Sequence, residues 1–81
     1  PMSKPKYYDE YGNEFVGPFG VATHMSDGVA SYPDEATARK AAVEALTRDD
    51  HTATVYGPKI GTSRARKVTT YKWSDTGPYE A

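Results

Sequence analysis

Two runs, Thr52–Tyr56 (TATVY) and Lys67–Trp73 (KVTTYKW), decide the fold. Both are rich in Thr, Val and aromatic residues, and both alternate with a period of two, as half-buried β-strands do. Gly57-Pro58 and Gly61 break the stretch between them, so the runs read as the two arms of a long hairpin. Side chains on a strand point alternately to opposite faces. If Ala53, Val55, Val68 and Thr70 face a helix, then Thr54, Tyr56, Thr69, Tyr71 and Trp73 face away from it.

The helix starts at Pro33-Asp34-Glu35. Asp34 is a good N-cap, and Glu35 puts negative charge in the first turn, where the helix dipole favours it. Ala38, Ala41, Ala42, Ala45 and Leu46 follow at helical spacing and form one apolar stripe, with Arg39, Lys40, Glu44 and Arg48 lying away from it. The small side chains of that stripe let the helix lie close to whatever it covers. Before the helix, the β-prone runs Val21–Met25 and Val29–Tyr32 flank Ser26-Asp27-Gly28, whose Asp-Gly pair predicts a tight hairpin turn with positive φ. The order β-β-α-β-β predicts an α+β domain over residues 19–73, a four-stranded, mostly antiparallel sheet with one helix packed on one face. Pro5, Gly12, Gly17 and Pro18 interrupt residues 1–18, which read as an extended arm with a turn at Tyr11–Glu14; residues 74–81 read as a C-terminal tail. Pro1 before Met2 reads as a remnant of a cleaved tag.

The chain has 81 residues, net charge -1 and no Cys, which limits it to one domain without a disulfide framework or thiol chemistry. Leu, Ile, Val and Phe are scarce, so seven Tyr and one Trp must supply much of the apolar area. No apolar run approaches the ~18 residues of a membrane span. The expected location is the cytoplasm of a bacterium or a phage-infected cell.

One lone helix covers one face of a sheet, so the opposite face is expected to expose Tyr56, Tyr71 and Trp73. The same hairpin carries Lys59, Arg64, Arg66, Lys67 and Lys72, five cations between residues 59 and 72 with no acid among them. Cations interleaved with aromatic rings combine phosphate attraction with surfaces for stacking bases. These eight residues are the expected nucleic-acid or partner-binding set. Gly57 to Arg64 lacks the Gly-Lys-Ser/Thr ending of a phosphate loop and reads as a turn. His24 and His51 have no partners at metal-ligand spacing, and Asp9, Glu10, Glu14 and Asp27 lie near His24 in sequence without a pattern that fixes acid/base geometry. No catalytic residue, metal, cofactor or small-molecule substrate is expected.

Tyr32-Pro33-Asp34-Glu35-Ala36-Thr37-Ala38-Arg39-Lys40-Ala41-Ala42 resembles the segment of plant ethylene-response DNA-binding domains and phage-integrase arm-binding domains in which an aromatic strand end enters an Ala-rich helix. In those families the sheet enters the major groove, but Val21 to Tyr32 here lack basic residues, so none of their binding residues carries over. The span Phe19 to Trp73 is similar to a small bacterial and phage β-β-α-β-β domain family of uncharacterised function, which implies the fold and no activity. The expected function is a non-enzymatic binding module, with nucleic acid as the first partner. The alternative is a protein-interaction or homodimerising accessory domain, such as a phage protein acting on a host factor.

Overall fold

The computed structural model describes residues 6–59 and 62–81. Their elements are β1 (Tyr7–Tyr8), β2 (Glu14–Phe15), β3 (Phe19–Thr23), β4 (Ala30–Tyr32), α1 (Glu35–Ala45), β5 (Thr52–Lys59), β6 (Thr62–Ser74) and β7 (Gly77–Glu80). The strands follow the order β2-β1-β6-β5-β3-β4, with β7 also paired to β6. β6 organises the sheet: β5 runs antiparallel along one edge, while the other edge takes β1 in parallel at Tyr8↔Arg64 and β7 antiparallel from Tyr71↔Glu80 to Ser74↔Gly77. The far ends approach each other where the Val16 N–H donates to Ser31 Oγ beside β4, at 3.0 Å. The expected four-stranded sheet with a helix on one face is therefore wrong: the sheet has seven strands, is mixed, and curls into a nearly closed, barrel-like form. The additional strands come from the arm and the tail. β1 and β2 have two residues each, too short to show a period, and β7 contains Pro78.

The helix forms where its capping signal puts it. Asp34 accepts the Thr37 N–H at 2.8 Å, and Ala38, Ala42 and Leu46 turn inward onto Val21, Ala53 and Val55. The β3–β4 connection differs from expectation. Phe19↔Tyr32 to Val21↔Ala30 sets a register that leaves a longer loop, and Gly28 has no positive φ. Ser26 closes the loop instead: its hydroxyl accepts from the Thr23 N–H and lies within hydrogen-bonding distance of the Thr23 and Gly28 carbonyls.

The faces of β6 also differ from the unbroken alternation. Val55 pairs with Thr69, but Tyr56 pairs with Lys67, so Val68 is an extra residue in a β-bulge. One inserted residue reverses the phase of everything beyond it. Tyr71 and Trp73 consequently share the face of Ala53 and Val55 and pack, with Val68, Phe19 and Tyr32, against the cluster beneath α1. Their bulk fills the space that Ala38 and Ala42 leave. Arg39 reinforces this side by donating to Tyr71 Oη at 3.0 Å, Glu35 at 2.9 Å and Glu80 at 3.3 Å, thereby joining α1, β6 and β7.

Of the three rings expected to face away from the helix, only Tyr56 does so, and the N-terminal arm covers it. Phe15 and Tyr56 are 3% and 2% exposed on this second face. Phe15 lies over Gly20, and Tyr7 stacks on Phe15 at 5.6 Å. The β1–β2 turn is set by Asp9, which is 1% exposed. Its Oδ1 accepts the Tyr11 and Asn13 N–H groups at 2.9 and 2.7 Å, and its Oδ2 accepts from Asn13 Nδ2 at 3.0 Å. Gly12 supplies the positive φ of 84° that the turn needs.

Candidate functional site

The five hairpin cations separate into three locations. Lys59, Arg64 and Arg66 are exposed near the end of the β5–β6 arm. Arg66 Nε donates across the β5–β6 pair to the Pro58 carbonyl at 3.1 Å, and Lys6, on the approach to β1, pairs with Glu14 at 3.5 Å. Ile60 and Gly61, in the middle of the expected Gly57–Arg64 turn, lie outside the described residues. Lys67 faces the opposite side, where Nζ pairs with Glu10 Oε1 at 3.1 Å. Lys72 is exposed between Thr52 and Tyr79 near the other end of β6, about 26 Å along the strand from Arg64 at ~3.3 Å per residue.

The expected aromatic half of the site does not assemble. Tyr71 and Trp73 belong to the packing under α1, and Tyr56 is buried with its hydroxyl donating to Glu10 at 3.3 Å. Burial, then the neighbouring Glu10 and Asp9 charges, push the Tyr56 phenol far above its usual range, so it stays protonated. Tyr8, half-buried, is in register with Arg64.

Acids concentrate at the other end of the molecule. The Met25 N–H donates to Asp50 Oδ1 at 3.0 Å, His24 N–H to the Thr52 carbonyl at 2.8 Å, and Trp73 N–H to the His51 carbonyl at 2.9 Å. These bonds bring the 24–28 and 46–51 loops and the 75–76 turn together, with Asp27, Asp49 and Asp75 exposed. His24 and His51 stack there at 4.5 Å between ring centroids. Among the described residues no group of three or more potential ligands is placed to hold a metal ion.

The described surface also carries concavities. A polar groove of about 480 Å³ lies on the face opposite α1, floored by the cross-strand row Ala22, Thr54 and Thr70. Tyr11, Asn13 and the Glu10–Lys67 pair line one side of it, and His24 and Ser26 the other. An apolar groove of about 510 Å³ lies among Tyr7, Val16, Pro18, Tyr32 and Pro33. Asp9 and Glu10, which build one wall of the polar groove, were legible only as carboxylates near His24 in sequence, outside the turn expected at Tyr11–Glu14. The signal for more was Asp9 three residues before Gly12, a favoured turn pairing.

No protein-family model, curated protein or solved structure matches the chain. Among the described residues no helix is long and apolar enough to cross a membrane.

Proposed function

We propose that the chain is a small non-enzymatic binding module that takes single-stranded nucleic acid on the end of its β5–β6 arm. The observation that carries this reading is the charge separation: Lys59, Arg64 and Arg66 are exposed at one end, while at the other the exposed Asp27, Asp49 and Asp75 outnumber Arg48 and Lys72. Such a distribution orients an approaching polyanion arm-first although the whole chain carries net charge -1. Tyr8 provides a ring beside Arg64, but the burial of Tyr71 and Trp73 leaves phosphate contact as the main source of affinity.

Binding of labelled single-stranded DNA and RNA, followed by fluorescence anisotropy at increasing salt, tests the proposal. Three cations at the arm end predict a slope of log affinity against log salt of about -2, whereas engagement of all five hairpin cations predicts about -3.5. Lys59→Glu with Arg66→Glu is expected to abolish binding, and no anisotropy change at about 50 mM salt with either strand would refute it. The apolar groove at Tyr7, Val16, Pro18, Tyr32 and Pro33 favours a second reading, a protein-interaction or homodimerising domain. Light scattering that shows a dimer, dissociated by Tyr32→Ala, would support it.

A further inference from the structure

We infer that the polar groove opposite α1 is a binding site for a neutral saccharide. Its floor is made of small residues, because the registered row Ala22↔Thr54↔Thr70 has no side chain larger than Thr, so the depression is part of the sheet itself. Its volume of about 480 Å³ falls within the range of small-molecule clefts.

The charged groups in the groove mostly hold one another. Asp9 spends both carboxylate oxygens on the Tyr11 and Asn13 N–H groups and Asn13 Nδ2, while Glu10 accepts from Tyr56 and Lys67. Glu10 takes both contacts on Oε1, which leaves Oε2 to accept from a ligand hydroxyl, and Lys67, the cation lining the groove, is paired, so an anionic ligand would meet Asp9 and Glu10 without compensation. Beside Glu10 Oε2 and the His24 imidazole, the groups that remain are hydroxyls. Thr54 and Thr70 line the groove, and neither hydroxyl has a hydrogen-bond partner among the described residues. A hydroxyl both donates and accepts, which matches the hydroxyls of a sugar.

Tyr11 supplies the apolar half of the recognition. It is 79% exposed at the rim, yet the Asp9 turn holds its backbone by a 2.9 Å hydrogen bond. A ring so placed can cover the C–H face of a pyranose while its hydroxyl remains in water. The site uses neither Lys59, Arg64 nor Arg66 and is independent of nucleic-acid binding by the arm.

The test is saturation-transfer NMR with cellobiose and maltose as probes. Saturation transfer is expected with at least one of them, absent in Tyr11→Ala and weakened about tenfold in the double variant Thr54→Val, Thr70→Val, which removes two hydroxyls and keeps their shape. Both variants leave the cluster under α1 untouched, so an unchanged melting temperature and Trp73 fluorescence confirm that loss of transfer is loss of the site. Absence of transfer with both sugars, or transfer that persists undiminished in both variants, would overturn the proposal.

Discussion

Trp73 joins two opposing effects in one side chain. Its ring packs on the cluster beneath α1, yet its indole N–H is buried without a hydrogen-bond partner among the described residues. Losing the ring in Trp73→Ala should cost about 2–4 kcal/mol, as the side chain is partly exposed. Trp73→Phe should cost less than about 1.5 kcal/mol, because it also removes a stranded donor whose burial is itself unfavourable by about 1–3 kcal/mol. Urea unfolding of the two variants measures both, and equal losses would contradict this assignment. Glu80 gives a pH signature. The Thr69 hydroxyl, then Arg39, hold its carboxyl below its ordinary value. A depressed carboxylate stabilises the fold above its unfolded pKa and loses that contribution as pH falls through the folded one. Melting temperature should therefore fall more steeply for wild type than for Glu80→Gln between about pH 5 and pH 3. Parallel curves would show that the Glu80 contacts do not form in solution.

At the scale of elements, the helix and the β5–β6 pairing were legible in the sequence because each declares itself with a period or a cap. Asp34 and the spacing of Ala38, Ala42 and Leu46 mark α1, and TATVY and KVTTYKW mark the hairpin. Val68 was not legible as a bulge, since KVTTYKW alternates equally well in either phase and the choice depends on the register with β5. That single residue reversed the placement of Tyr71 and Trp73. β1 and β2 escaped notice for a different reason: a two-residue strand has no periodicity, and its pairing depends on contacts distant in the chain. Their covering role predicts that deleting residues 2–10 lowers both the urea midpoint and the m value, as less surface is then buried on folding. Gly20→Ala tests the close approach of the arm to β3. A Cβ there would meet Val29 Cγ1 and Phe15, for an expected loss of about 1–3 kcal/mol. An unchanged midpoint would mean that neither Val29 nor Phe15 of the arm lies against Gly20.

At the scale of the molecule, the cations of the hairpin were plain in the sequence, but their grouping was not. Neighbours in sequence were expected to share a surface, whereas strand alternation turns Lys67 to the groove and the length of β6 carries Lys72 toward the acidic loops. Asp27, Asp49 and Asp75 are scattered along the chain and become one acidic end only when β3, β5 and β6 align. The polarity between that end and the arm is the central claim of the functional account, and amide chemical-shift mapping with a single-stranded oligonucleotide tests it most directly. Shifts are expected at Lys59, Arg64 and Arg66, fading as salt rises, with Asp27, Asp49 and Asp75 silent. Shifts that centre on the acidic loops, or that are absent throughout, would contradict it.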